Sequence, residues 1–162
     1  PKILLGKNCY TNCNNPSTIV VPVFVDYNHI GITHTGATED NSMHHFLLLV
    51  ADVQKSKIYG FDSLPSNMHK EYVKNKLPVL LCMMLNSKLI STSFIRTYTL
   101  SWKAVQLQTG ISCGYHTIVN AYQFVSQGEV HNSCNVYKEV LSLLCYISRI
   151  QPNNNSATKF ML

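Results

Sequence analysis

The chain has 162 residues and a formal net charge of +5, with 46% apolar and 13% charged residues. That is the length of one domain with a globular composition, which excludes a disordered chain. Basic residues are scattered without a run, which argues against nucleic-acid binding. The longest apolar stretch, Leu77 to Leu85, is about half the length that a bilayer requires, which argues against a membrane span. We expect one monomeric domain over 1–162, truncated at its N-terminus because it lacks a starting Met, with a frayed tail from 151.

The cysteines indicate reduced thiols. Cys82 and Cys145 lie within apolar runs, where a free cysteine behaves as a small core residue. The N-terminal residues have no signal-peptide hydrophobic region, so we expect a nuclear or cytoplasmic location, within a host cell if the chain is viral or an effector. Cys9 and Cys13 with His29 or His34 match no common zinc-finger spacing, so no metal is predicted.

The first half of the chain predicts strands. Ile19 to Val25 is a β-run in which Pro22 favours an edge position or a bulge, and a loop from Asn28 to Met43 follows. The runs Phe46 to Val53 and Lys57 to Phe61 are separated by polar residues and predict an antiparallel hairpin. A turn centred near Val53 and Gln54 would place His45 opposite Asp62 or one position away, within hydrogen-bonding reach.

The second half predicts mostly helices. Ser66 or Asn67 is a candidate N-cap, and Pro78 is expected to divide the following segment into two helices, Met68 to Lys76 and Pro78 to Asn86. Phe94 to Gln108 is strand-like, and a last helix is expected from about Val136 to Ile150. Between them, the segment Cys113 to Val125 predicts a helix with one apolar face formed by Ile118, Val119, Ala121, Tyr122 and Val125.

Cys113 is the candidate nucleophile because it begins that helix. The unpaired N–H groups and the dipole of a helix N-terminus stabilise a thiolate, and the same groups can bind the oxyanion of a tetrahedral intermediate. A side-chain amide from Gln108 or Gln106 could supply a further donor, and Gly114 leaves the backbone open to substrate. A cysteine nucleophile needs a base and an orienting carboxylate, which His45 and Asp62 supply.

These segments together resemble a known family. The order of His, Asp, Gln and Cys resembles that of the ubiquitin-like protease superfamily of SUMO and related proteases, which includes the adenovirus protease. The segments that carry the resemblance are His45 to Val53, Lys57 to Leu64, Gln108 and Ser112-Cys113-Gly114. The resemblance covers roughly 19–150. It implies a papain-like α+β fold, in which helices flank a central mixed or antiparallel sheet and the nucleophile lies at a helix N-terminus.

The resemblance also implies a role for each site residue. His45 would be the general base, with its neighbour His44 as the rival; Asp62 would orient the base, Cys113 would be the nucleophile and Gln108 an oxyanion-hole donor. Phe46 stands where the family usually has Trp, and Ser112 where it often has Asp. Counted to Cys113, Gln108 is one residue closer than the commonest family spacing, and Gln106 is one residue further away. We choose Gln108 because residues 105–109 resemble the family's sequence around this glutamine.

The implied function is that of a cysteine peptidase that cleaves after the C-terminal Gly-Gly of SUMO, ubiquitin or a similar modifier, without a cofactor. Phe46 and Trp102 would roof a narrow tunnel for the glycines, beside Gly114. Such a modifier, or its conjugates, would be the partner. The alternatives are a viral or mobile-element endopeptidase that processes polyproteins, an acetyltransferase with a similar residue set, and a catalytically decayed domain that only binds a ubiquitin-like protein.

Overall fold

The computed structural model describes residues 16–27, 44–110, 112–133 and 135–150, with the backbone alone for 146–150. Its elements, in chain order, are β1 (Thr18–Asp26), β2 (His44–Asp52), β3 (Lys57–Phe61), α1 (Asn67–Asn86), α2 (Thr92–Thr97), β4 (Thr99–Lys103), α3 (Cys113–Gln127) and α4 (Val136–Ile150). The predicted α+β class is confirmed. The predicted loop 28–43, the tail from 151 and the residues weighed as zinc ligands lie outside the described residues.

The strands form one mixed sheet in the order β1-β2-β3-β4. β1 and β3 each pair antiparallel with β2, and β4 pairs parallel with β3. β1 is therefore an edge strand, as predicted from Pro22, whose missing N–H is tolerated there. β2 lies between β1 and β3, but its N-terminal end pairs only with β1, where Val25 lies opposite His45.

The β2–β3 hairpin has a different register from the one predicted. Leu48 lies opposite Phe61 and Asp52 opposite Lys57, so the turn is centred between Gln54 and Lys55. The Asp52 carboxylate accepts a hydrogen bond from the backbone N–H of Lys55 at 3.0 Å, and this contact sets the turn. His45 and Asp62 are consequently not cross-strand neighbours; they meet because the chain leaves β3 after Phe61.

α1 is one helix and not the two that were predicted. Pro78 lies inside it and removes one backbone hydrogen bond, at a cost of about 3 kcal/mol. The helix continues because a stripe of side chains, Val73, Leu77, Leu81 and Met84, is buried in the core. Each such side chain stabilises by about 1.5–3 kcal/mol, so the stripe outweighs the proline. The Ser66 cap is confirmed, since its hydroxyl accepts from the His69 N–H at 3.1 Å.

The sheet separates two apolar layers. Alternate residues of β2 point to opposite faces, so Leu47 and Leu49 pack on the α1 side, while Leu48 and Val50 pack on the α3 side. Phe124 of α3 joins the second layer through Phe61, whose ring centroid is 5.8 Å away. α1 and α3 are thereby placed on opposite faces of the sheet.

The segment predicted as a strand from Phe94 to Gln108 is divided between α2 and β4. Ser91 accepts from the Phe94 N–H at 3.2 Å and so begins α2 with a hydrogen-bonded cap. Phe94 is then buried in the α1-side layer. Local capping and burial of one aromatic side chain therefore override the alternating pattern that predicted a longer strand.

α3 begins at Cys113 as predicted, but it buries a different face. Ile118, Tyr122 and Val125 of the predicted apolar face are 44–65% exposed. The buried residues are Cys113, His116, Thr117, Val119, Asn120 and Gln123. The burial predicted for two cysteines is also wrong, because Cys82 and Cys145 are exposed. Among the described residues, no helix has both the length and the hydrophobicity to cross a membrane.

Gly60 tests the packing between β3 and β4. A Cβ at this position would lie 2.6 Å from Cε3 of Trp102, which is held against the core. We expect Gly60→Ala to lower the free energy of unfolding by about 1–3 kcal/mol because it overpacks this contact. Urea denaturation followed by circular dichroism measures the change. Gly60→Ala/Trp102→Leu is the control and should recover part of the loss; equal stability of Gly60→Ala and the wild type would contradict the packing.

Candidate active site

His45 and Asp62, the predicted base and acid, are in contact. His45 Nε2 lies 2.7 Å from Asp62 Oδ1, and each side chain is 2% exposed. His45 comes from the N-terminal end of β2 and Asp62 from the residue after β3. One hairpin therefore supplies both groups, although its register differs from the predicted one.

The Asp62 carboxylate accepts three hydrogen bonds. Oδ1 accepts from His45 and from the Leu64 backbone N–H at 2.9 Å, and Oδ2 lies 2.7 Å from His69 Nδ1. Burial alone raises the pKa of Asp62, but the hydrogen bonds from His45, His69 and Leu64 outweigh it and hold the pKa well below its usual value. Asp62 is therefore an ionised carboxylate at neutral pH.

That ionised carboxylate assigns the proton on His45. A carboxylate can only accept hydrogen bonds, so His45 Nε2 carries the hydrogen of the 2.7 Å contact. The lone pair of the neutral ring is then on Nδ1. His45 thus has one nitrogen fixed by Asp62 and the other set up as a base.

His44 lies on the opposite face of the same strand. Its Nδ1 is 3.9 Å from Asp26 Oδ1, with both side chains partly exposed, and its ring centroid is 4.7 Å from that of Phe24. The alternation of side chains along β2 therefore separates His44 from Asp62. Of the two neighbouring histidines, His45 is the one joined to the buried carboxylate.

Cys113 occupies the first position of α3 and is 9% exposed. The preceding Ser112 donates its hydroxyl to the Thr109 carbonyl at 3.0 Å and makes no side-chain cap. The first N–H groups of α3 are thus left without that cap. The pKa of Tyr27 is raised mostly by burial and further by electrostatic interaction with Asp62 and Cys113, so Tyr27 lies within range of both residues.

Gln108 is held by the residue that follows Asp62. The Gln108 N–H donates to the Ser63 carbonyl at 2.9 Å, and the Ser63 hydroxyl donates to Gln108 Oε1 at 2.7 Å. Gln108 Nε2 donates one hydrogen to the Gly110 carbonyl at 3.0 Å. Its second N–H is not used by these contacts, so the amide is oriented and retains a donor.

The three predicted substrate-binding residues differ in their surroundings. Phe46 is 39% exposed, with its ring centroid 5.1 Å from that of Phe24. A Cβ on Gly114 would meet open space, so this turn of α3 has room for a ligand. Trp102 packs over Gly60 and against the α1-side layer, so its ring has a structural contact. Its role as a tunnel roof stays a prediction.

A cavity of about 400 Å³ lies beside the N-terminus of α3. Its lining includes Gln106, Ser112, His116, Asn135 and Tyr137. The buried Nδ1 of His116 has no hydrogen-bond partner among the residues that the structure describes, and burial lowers the pKa of this histidine. Gln106 thus lies at this cavity, whereas Gln108 is tied to the Asp62 loop.

The sequence analysis missed His69 and Tyr27. His69 lies in the first turn of α1, 1% exposed, and Tyr27 follows β1. A signal for His69 was present, because it precedes Val73 and Leu77 at a spacing of four and so belongs to the buried stripe of α1. A histidine on a buried stripe needs a polar partner, and here the partner is Asp62.

The same cluster is the one candidate for a metal among the described residues. The ligating atoms of His45, Asp62 and His69 all lie within 4.8 Å of one another. One nitrogen of each histidine, Nε2 of His45 and Nδ1 of His69, already lies 2.7 Å from an oxygen of the Asp62 carboxylate. The three buried groups are therefore satisfied by hydrogen bonds, an arrangement suited to proton transfer.

No family model and no curated protein matches the sequence. Among solved structures, the effector protein ChlaDUB of Chlamydia abortus is similar, with a TM-score of 0.51 and 13% identity over 93% of this chain and 65% of that chain. ChlaDub1 of Chlamydia trachomatis has a TM-score of 0.48 and 15% identity, over 85% and 62% of the two chains. Cdu1 of Chlamydia trachomatis, bound to ubiquitin, has a TM-score of 0.44 and 14% identity, over 82% and 60%.

The chain spans less than two thirds of the length of these structures. At such low identity, the likeness to the Chlamydia abortus protein shows the fold, which is the predicted papain-like α+β fold with a mixed sheet.

Asp62 predicts a pH-dependent contribution to stability. Its pKa is lowered in the folded state, so the carboxylate stabilises the fold above its unfolded pKa of about 3.9, and this contribution is lost as the pH falls through the lower folded value. We expect Asp62→Asn to cost about 1–3 kcal/mol of unfolding free energy at neutral pH. The difference from the wild type should narrow below about pH 4.

Chemical denaturation across this pH range measures the difference. Glu71→Gln is a matched control, because Glu71 is exposed and pairs only with Lys74 at 3.6 Å among the contacts described. The control should follow the wild type at every pH. A difference for Asp62→Asn that persists undiminished in acid would contradict the assignment.

Proposed function

We propose that the chain is a cysteine peptidase or isopeptidase that cleaves after the C-terminal Gly-Gly of ubiquitin, SUMO or a similar modifier, with Cys113, His45 and Asp62 as its triad. The observation that carries the proposal is the buried 2.7 Å contact between His45 and an ionised Asp62, together with a cysteine at the first position of α3. The electrostatic effect of both Asp62 and Cys113 on Tyr27 supports their membership of one site. The fold likeness to the Chlamydia abortus effector supports the same reading.

In the first half of the reaction, His45 Nδ1 takes the thiol proton of Cys113, and the sulfur attacks the carbonyl carbon of the modifier's last glycine. The carbonyl oxygen becomes an oxyanion. As the tetrahedral intermediate collapses, the C–N bond breaks and the His45 imidazolium gives its proton to the leaving amine. The product is a thioester between Cys113 and the modifier.

In the second half, His45 accepts a proton from water, and the resulting hydroxide attacks the thioester carbonyl. The C–S bond then breaks, which releases the modifier's carboxyl group and returns Cys113 to its thiol form through the His45 proton. Throughout, Asp62 keeps Nε2 of His45 as the donor and stabilises the imidazolium that forms twice per turnover.

Two features of the site fit a substrate that ends in small residues. The open space at Gly114 lets a backbone approach the start of α3, and the half-exposed Phe46, supported by Phe24, supplies an aromatic wall. Glycine residues have no side chains to clash with such a wall. The oxyanion would meet the first N–H groups of α3 and the second N–H of Gln108 Nε2.

The nucleophile assignment is tested with ubiquitin and SUMO probes that carry a C-terminal electrophile. We expect one adduct by intact mass spectrometry, abolished in Cys113→Ala and in His45→Ala. Cys82→Ala is the matched control because Cys82 is exposed, whereas Cys113 is buried, so non-specific alkylation would favour Cys82. An adduct that survives in Cys113→Ala, or no adduct with either probe from folded protein, would overturn the proposed function in favour of polyprotein processing or binding alone.

The two glutamines predict different kinetics. Gln108→Ala should lower kcat roughly 100-fold because it removes an oriented oxyanion donor, with little change in KM. Gln106→Ala should change kcat only slightly, since the Ser63 contacts orient Gln108, whereas Gln106 lines the cavity beside the N-terminus of α3. Steady-state hydrolysis of a fluorogenic modifier substrate separates them. A larger kcat loss for Gln106→Ala than for Gln108→Ala would reverse the assignment.

A further inference from the structure

We propose that Tyr27 and His69 are positioning residues, which form the outer half of a hydrogen-bond chain Tyr27–His69–Asp62–His45. Through this chain they ensure that His45, and not His69, accepts the proton during catalysis. This inference rests on the proposed peptidase function. It adds two residues to the triad, and neither of them touches the substrate in the proposed reaction.

The hydrogen bonds of the chain are short, and three of its four side chains are buried while Tyr27 is half-buried. The Tyr27 hydroxyl oxygen lies 2.6 Å from His69 Nε2, and His69 Nδ1 lies 2.7 Å from Asp62 Oδ2. The rings of His45 and His69 are stacked, with centroids 4.5 Å apart and an angle of 14° between their planes. Two parallel imidazoles therefore face the two oxygens of one carboxylate.

The direction of each hydrogen bond follows from Asp62. Its carboxylate is ionised and can only accept, so His69 Nδ1 must carry a hydrogen. In a neutral imidazole the other nitrogen is then an acceptor, and the Tyr27 hydroxyl donates to Nε2. Every proton in the chain thus points toward Asp62.

The direction of these hydrogen bonds distinguishes His69 from His45, although each lies 2.7 Å from one oxygen of Asp62. Nε2 of His69 already accepts a hydrogen bond from the Tyr27 hydroxyl, so its lone pair is engaged. The groups that face this ring within the described residues are Asp62, His45 and Tyr27. If His69 took a proton instead, its positive charge would lie against the His45 ring and oppose imidazolium formation there.

His69 also holds the carboxylate in place. A carboxylate bound through one oxygen can rotate, whereas contacts to Oδ1 and Oδ2 fix its plane. The oxygen that faces His45 is then kept at hydrogen-bonding distance, and the imidazole keeps its orientation. Tyr27 extends this support from the end of β1 to the start of α1.

The first measurement needs no variant and no modifier. Long-range ¹H–¹⁵N NMR spectra of histidine-labelled protein report the tautomer of each ring. We expect His69 as the Nδ1–H form and His45 as the Nε2–H form at neutral pH, with Tyr27→Phe changing the His69 signals. His69 in the Nε2–H form would overturn the chain even if the peptidase function is correct.

The second measurement is the rate of Cys113 alkylation by iodoacetamide, read by mass spectrometry at about pH 6 and about pH 8. Tyr27→Phe should slow the reaction more at the lower pH. Without the Tyr27 hydroxyl, Nε2 of His69 can bind a proton from solvent, and the resulting positive charge opposes proton transfer from Cys113 to His45. Tyr72→Phe is the matched control, since its hydroxyl makes an exposed 3.3 Å bond to the Phe24 carbonyl. An equal effect of Tyr27→Phe at both pH values would contradict the proposal.

His69 itself is tested by a pair of variants. His69→Asn places an amide N–H near the position of Nδ1, whereas His69→Leu removes the donor. We expect alkylation to be slowed roughly 10- to 100-fold in His69→Leu and only a few-fold in His69→Asn. Equal rates in the two variants, with folding checked by circular dichroism, would reduce His69 to a packing residue. A normal tautomer and pH response in a protein that takes no modifier probe would instead contradict only the proposed function.

Discussion

The carboxylate of Asp62 is the group on which the rest of the site depends. It is buried, and hydrogen bonds from His45, His69 and Leu64 keep it ionised despite that burial. Those contacts come from β2, from the first turn of α1 and from the chain just after β3. One negative charge therefore joins three separate parts of the fold, and removing it would leave buried donors without an acceptor.

The packing of the sheet explains why that charge can be held. The two apolar layers fix β2 between α1 and α3, so the N-terminal end of β2 and the first turn of α1 cannot move apart without exposing core residues. The two hydrogen bonds between Ser63 and Gln108 join the Asp62 loop to the segment before Cys113 and fix their relative positions. The geometry of the site is thus a consequence of packing on both faces of the sheet.

The sequence predicted the site better than it predicted the packing. The contact between His45 and Asp62, the edge position of β1 and the start of α3 at Cys113 depend on local patterns and short-range chemistry, and the structure shows each of them. The roles of Cys113 and Gln108 stay predictions. Pro78 misled because burial of the α1 stripe outweighs the cost of one proline. The apolar periodicity of α3 also misled, because this helix buries Thr117, Asn120 and Gln123 and exposes Ile118 and Val125. Which face of a helix is buried depends on its neighbours, and a single sequence carries no direct record of them.

The central claim is that Cys113 and His45 act as one nucleophile and base. The most direct test is the rate at which iodoacetamide alkylates Cys113 in the wild type and in His45→Ala at neutral pH, measured by peptide mass spectrometry. The account predicts a fast reaction at Cys113 in the wild type and a large fall in His45→Ala, while alkylation of Cys82 is unchanged. An unchanged Cys113 rate in folded His45→Ala would contradict it, because the cysteine would then react without the histidine.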